Sequence, residues 1–93
     1  VLTIEEIQER TAAHYGITLD ELRSKRRFQH MVWPRHVVCY LARQKLRLSY
    51  PAIGKKLGVH HSNVMWSVNV VCDRLFTDPI EKSTFDRLNR TLR

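Results

Sequence analysis

Apolar residues recur along this chain at helical spacing, and the breaks between them carry the signals that start and stop helices. Ile4, Ile7, Thr11 and His14 or Tyr15 follow the helical period and predict a helix from Ile4 to about Tyr15. Thr3 caps its first free amides, Glu6 reaches back to the Thr3 N–H, Leu2 packs on Ile7 and Gly16 ends the run. The same device returns at once, with Thr18 and Glu21 as a second capping box and Ile17 set to pack on Leu22, opening a short helix from Leu19 to Arg23. His14 reads as a half-exposed helix-end residue and not as a ligand. Val37, Val38 and Leu41, with Cys39 and Ala42 beside them, predict a long helix from Pro34, at its first position, to about Leu46, with Tyr40 bridging core and surface. Asp78 as cap, then Pro79 and Glu81, open a last helix whose Ile80, Phe85, Leu88 and Leu92 are expected to cover the core. Lys82, Arg87, Arg90 and Arg93 are its solvated or dipole-complementing charges.

Residues 49–76 carry the most specific pattern, that of a helix-turn-helix. Ser49 caps a short helix, and Pro51 sits in its first turn, where a missing N–H costs nothing. Ile53 and Leu57 face inward, and Gly54 between them offers no side chain where a second helix must cross closely. Gly58 ends the helix in the left-handed conformation and begins the tight turn. Val59 is expected to plug that turn, and Val64 closes the small core. The next helix continues through Met65, Val68, Val71, Cys72 and Leu75 as an apolar stripe, while His61, Ser62, Asn63, Trp66 and Asn69 open its other face. Uncharged hydrogen-bonding groups at the leading end of such a helix suit base edges: Asn pairs bidentately with adenine, and Ser or His bonds several edges. The same residues also suit a local role, with Ser62 or Asn63 as helix cap, and the two roles are compatible.

Charge turns this pattern toward a polyanion. The chain has 16 Lys plus Arg against 9 Asp plus Glu, a formal net charge of +7. From Leu22 through Cys72 there is no acidic residue, while Arg23, Lys25, Arg26, Arg27, Arg35, Arg43, Lys45, Arg47, Lys55 and Lys56 all lie there. A one-signed run around a helix-turn-helix points to a polyanionic partner, since a surface of one sign repels itself and is normally interleaved with the other. Ser24 to Trp33 has neither helical nor strand period and reads as a basic loop over residues 24–33, with Lys25, Arg26 and Arg27 free to reach a backbone or groove. Phe28, Met31, Val32 and Trp33 are read as anchors of that loop, because a duplex offers no exposed base faces to stack on.

The remaining composition narrows the function classes. At 93 residues and 43% hydrophobic, the chain makes one domain, residues 1–93, with a single core. It begins at Val1, as a processed or excised piece of a longer chain would. No apolar run reaches membrane-span length and no signal-peptide pattern opens it, which suggests a cytoplasmic protein at the nucleoid with no membrane partner. Cys39 and Cys72 read as reduced core residues. His60 and His61 lack the further ligands and spacing of a zinc site, so no metal or cofactor is expected. Asp73 and Asp78 are separated acids, there is no Gly-rich phosphate loop, and no nucleophile has a paired base with an orienting group, so neither an enzyme nor a small-molecule substrate is indicated. No long heptad seam signals oligomerisation.

These residues together resemble the C-terminal DNA-binding domain, domain IV, of the bacterial chromosomal replication initiators of the DnaA family. The likeness is spread along the chain: the opening T-I-E-E-I-Q, the S-K-R-R segment, P-R-H where the family has P-R-Q, the helix ending L-A-R, and S-Y-P-A-I-G-K-K-L-G. The resemblance implies an all-α, six-helix, TrpR-like fold. It implies that Arg27 enters a minor groove, that Pro51 touches a thymine methyl, and that His60, His61, Ser62 and Asn63 read the major groove of a nine-base-pair box. It implies phosphate contacts from Arg26, Arg35 and Arg43, with Lys25, Lys45 and Trp66 beside them. The family's turn reads Gly-Arg-Asp-His-Thr-Thr-Val, and here it is Gly58-Val59-His60-His61-Ser62-Asn63-Val64. The acid that accepts from cytosine is gone, the second threonine is Asn63, and Val59 removes a cation, so an altered target sequence is expected. Alternatives are a stand-alone regulator of transcription or of a mobile element on the same fold, and a protein- or RNA-binding module that has lost duplex DNA.

Overall fold

Every described helix but the third begins where a side chain relieves the first amides of their missing partners, and the third follows Phe28, which makes no capping bond. The computed structural model describes residues 2–24 and 28–92, with Gln29 described by its backbone alone. Among them run six α-helices: α1 (Ile4–Tyr15), α2 (Leu19–Arg23), α3 (Gln29–Lys45), α4 (Tyr50–Leu57), α5 (His61–Thr77) and α6 (Pro79–Thr91). Thr3 Oγ1 accepts from the Glu6 N–H at 3.2 Å, and Leu2 packs against the cluster that holds Ile7. Glu6 pairs with Arg10 at 3.9 Å. The box at α2 is reciprocal, Thr18 and Glu21 exchanging two bonds of 3.0 Å, and the Thr18 N–H holds the Glu21 carboxyl below its ordinary range. Asp78 Oδ1 accepts from Ile80 and Glu81 ahead of Pro79, as the last cap predicts.

The segment read as a loop over 24–33 is corrected by α3, which starts at Gln29 and carries Pro34 inside it. Pro34 was expected at the first helical position; instead it forgoes the amide bond to the His30 carbonyl. Burial explains the difference. Met31 is 3% exposed and Pro34 is fully buried, so both lie on the inner face with Val38 and Leu41. An interior proline ordinarily costs about 3 kcal/mol, and removing Met31 and the proline ring from water is worth a similar amount. Trp33 anchors this turn: its Nε1–H donates to Tyr15 Oη at 3.2 Å, and the Arg74 guanidinium lies over its ring at 5.1 Å. Burial pushes the Tyr15 hydroxyl up to about 12. Phe28, expected to anchor the segment, is exposed and stacks on His30.

The core has two lobes that meet along α3. Ile7, Ala12, Leu22, Val37, Val38, Leu41, Val71, Phe85, Leu88 and Leu92 form one. Ile4, Cys39, Ala42, Ile53, Val64 and Val68 form the other, directly beneath α4 and the start of α5. On α1, His14 Nε2–H donates to the Thr84 carbonyl at 2.9 Å and ties that helix to α6. The apolar stripe of α5 runs through Val64, Ser67, Val68 and Val71, not through Met65 and Cys72, which are exposed. Ile80, expected in the core, is 80% exposed, because α6 turns its Phe85, Leu88 and Leu92 side inward. Cys39 is buried, and burial pushes its thiol up to about 11.

The crossing of α4 and α5 follows the glycines. Gly58 adopts φ +72, ends α4, and gives its N–H to the Gly54 carbonyl, which also accepts from Val59 at 2.9 Å. A methyl group at Gly54 would stand 2.6 Å from the Val59 carbonyl oxygen and 3.3 Å from the His61 nitrogen. The turn's backbone therefore rests on the bare α-carbon of Gly54. Val59 does not plug the turn; its side chain is 39% exposed and its backbone does the work, while Ile53 and Val64 fill the space below.

Because a backbone oxygen cannot swing aside, Gly54→Ala is expected to lower stability by about 1–3 kcal/mol, more than Gly58→Ala, which meets no atom and costs about 1 kcal/mol for its left-handed backbone. Chemical denaturation of both variants checks the order.

Candidate nucleic-acid interface

The turn between α4 and α5 is two residues long after Gly58, which forces the cap of α5 onto His60. His60 has extended backbone angles, φ −70 and ψ 146, and its Nδ1 accepts from the Ser62 N–H at 3.1 Å. Ser62 and Asn63, read as candidate caps, instead lie inside the first turn of the helix. His60, His61, Ser62 and Asn63 are all exposed and form one uncharged, hydrogen-bonding edge. The two imidazoles lie with centroids 4.2 Å apart. One turn on, Trp66 is 62% exposed and meets the His36 ring edge-on at 5.3 Å. His36 Nδ1 lies 2.8 Å from Ser67 Oγ, so a residue with no motif around it sets the floor beneath this edge.

A cleft of about 650 Å³ runs beside that edge. Lys56, His60 and Asn63 line one side, Arg23 and Ser24 the other, and Arg35, His36 and Ser67 also border it. Ser24, the last described residue before the basic segment, lies on the rim of the same cleft. Lys25, Arg26 and Arg27, expected to contact phosphates and a groove, lie outside the described residues. Lys56 was not singled out within the basic run; three residues after the buried Ile53, it stands at the flank of the inward face and is exposed.

The other cations divide by their partners. Arg35 is half-buried and its Nε–H donates to the Leu22 carbonyl at 3.1 Å, joining α3 to the end of α2. Arg43 is exposed, but Nη1 donates to the Leu48 carbonyl at 3.0 Å and the guanidinium lies 4.4 Å from the centre of the Tyr50 ring. It thereby holds the link between α3 and α4, where Arg47 adopts φ 54. Five donors on a guanidinium leave others for an anion. Lys45 is not brought to this surface; it borders a recess with Tyr40, Gln44, Phe85 and Asn89, on the α6 side. Pro51 is exposed in the first turn of α4. Among the described residues, ion pairs join Arg10 to Glu6 and Lys82 to Asp86, His30 Nε2 lies 3.7 Å from Glu21 Oε2, and no carboxylate pairs with Arg43, Lys55 or Lys56.

Residues 4–71 match the family model described as "Bacterial dnaA protein helix-turn-helix". The chain is similar to the chromosomal replication initiator protein DnaA of Geobacter metallireducens, at 40% identity over 93 residues, and to that of Gluconobacter oxydans, at 38% over 92. It is 34% identical over 92 residues to the protein of that name from Citrifermentans bemidjiense. Each alignment covers 98% of this chain but only 20%, 19% and 20% of those proteins respectively. The chain thus spans about a fifth of the length of the curated relatives it matches.

The two arginines should separate in stability. Arg35→Ala is expected to lose about 1.5–3 kcal/mol, the worth of a charged hydrogen bond that is partly shielded from water, and Arg43→Ala no more than about 1 kcal/mol. Equilibrium unfolding of the two variants measures both.

Proposed function

The chain belongs to the bacterial DnaA helix-turn-helix family, and on that premise we propose that it binds double-stranded DNA sequence-specifically, as the DNA-binding part of a replication initiator. The single observation that carries this reading is the exposed uncharged edge from His60 to Asn63, set in a stretch from Leu22 through Cys72 that holds ten Lys and Arg and no acid. In this reading the first turn of α5 enters the major groove, with His60, His61, Ser62 and Asn63 at base edges and Pro51 against a thymine methyl. Arg27 reaches the minor groove from the basic segment, and Lys25, Arg26, Arg43 and Lys56 face phosphates. Trp66 approaches the backbone with its indole N–H. Arg35 serves the interface from behind by fixing α3 against α2. The partner is met in the bacterial cytoplasm, at the nucleoid.

The preferred site differs from the usual initiator box. Support comes from the turn itself, Gly58-Val59-His60-His61-Ser62-Asn63-Val64, which has lost the acid and the second threonine of the family pattern while the scaffold residues around it are kept. A helix that presents imidazole and amide groups in place of a carboxylate and a methyl offers a different set of donors and acceptors to the same groove. The module has no catalytic part in this reading; it delivers position on DNA.

Unbiased selection of duplex targets by the purified chain tests both parts. Enrichment of a sequence other than the ordinary box is expected, and enrichment of that box itself rules out altered specificity. Neutralising about six phosphates should lower affinity roughly a thousandfold or more between 50 and 200 mM salt. Arg27→Ala should cost about 1–3 kcal/mol and relax the preference at one position, whereas Arg43→Ala should weaken all duplexes alike. Equal loss on specific and random duplexes for Arg27→Ala would make that residue a phosphate clamp only.

A further inference from the structure

The cap at the start of α5 fixes the polarity of what it shows to solvent. His60 Nδ1 lies 3.1 Å from the Ser62 backbone nitrogen and 2.8 Å from Ser62 Oγ. A backbone N–H only donates, so Nδ1 holds a lone pair. A neutral imidazole with its lone pair on Nδ1 carries its proton on Nε2. The Ser62 hydroxyl faces the same lone pair and donates to it, which leaves its oxygen an acceptor toward solvent. Two groups of the exposed edge therefore have a fixed polarity. The edge presents a donor at His60 Nε2 and an acceptor at Ser62 Oγ, with the His61 ring packed 4.2 Å away at a tilt of 33° to brace the first.

Bases in the major groove differ in just this respect. Guanine presents two acceptors, O6 and N7; cytosine presents only the N4 donor; adenine and thymine each offer one acceptor, beside a donor or a methyl. A ring that can only donate bonds guanine and meets its own polarity at cytosine. Resting on the reading of this chain as a duplex-DNA-binding module, we propose that His60 is a specificity-determining residue that rejects cytosine and accepts a base with a major-groove acceptor, guanine foremost, on the strand it faces, through an Nε2–H donor locked in place by its N-cap bond. The residue that starts the helix thus also chooses a base, and one hydrogen bond to the backbone serves both tasks.

Two substitutions keep the cap and change the polarity separately. In His60→Asp the carboxylate still accepts from the first-turn amides but can donate nothing; in His60→Asn, Oδ1 caps while Nδ2 still donates. Selection of duplex targets from a random pool by the three proteins should show a guanine-over-cytosine preference of about tenfold or more at one position for the native chain. That preference should be kept in sign by His60→Asn and reversed by His60→Asp, with circular dichroism confirming that all three fold. Long-range nitrogen-15 correlation spectra of the native chain should show a neutral His60 protonated at Nε2. A proton on Nδ1, or the same base preference in all three proteins, overturns the proposal and leaves the DNA reading standing. If the native chain enriches no sequence over random duplex, the DNA reading falls and the role of His60 falls with it.

Discussion

The contact on which the working surface depends is between two pieces of backbone: the α-carbon of Gly54 and the carbonyl of Val59. A side chain at Gly54 would stand 2.6 Å from that oxygen, so the approach exists only because none is there. The Gly54 carbonyl meanwhile receives the amides of Gly58 and Val59. Together these contacts stop α4, reverse the chain in two residues and set the angle at which α5 leaves. That angle turns Val64, Ser67, Val68 and Val71 onto the core and His60 to Asn63 toward water. Packing against Ile53 then holds it, since a shift of α5 would open a void beneath Val64.

Around that crossing, several charged residues have two duties. Arg43 belongs to the acid-free stretch from Leu22 through Cys72 and also pins the link between α3 and α4 by its bond to Leu48 and its stacking on Tyr50. Arg35 is more deeply committed, with its Nε–H given to the Leu22 carbonyl. Such arrangements keep a cation in a fixed place, which lowers the entropy lost when an anion arrives. They also mean that removing an arginine from this face changes the scaffold as well as the charge. Lys45, on the α6 side, shows that membership of a basic run in sequence is not membership of a surface.

Helix boundaries and turn chemistry were legible in the chain because their causes are local. The pairs Thr18–Glu21 and Asp78–Pro79, the terminator Gly58 and the close approach at Gly54 each act within a few residues, so spacing alone identifies them. Six helices, their order and the helix-turn-helix at residues 49–76 follow from such signals. Where a distant partner decides, the reading of local pattern fails. Pro34 looked like a helix start, yet Met31 and the proline ring are wanted by the core, and Trp33 by Tyr15, so α3 begins at Gln29. Met65, Cys72 and Ile80 are apolar residues at plausible helical spacing that no neighbouring helix covers.

The same division holds at the candidate interface. Composition and order along the chain were enough to determine that one stretch is basic and free of acids, and that a polar edge follows a glycine-terminated helix, because charge and turn propensity belong to the residues themselves. Only the tertiary structure decided that His60 and not Ser62 or Asn63 caps α5, that Lys56 shares a cleft with Asn63 and the end of α2, and that His36 sits beneath Trp66. Those relations join residues far apart in the chain or depend on the exact register of a two-residue turn. Both are fixed by how helices pack, and packing has no local signature.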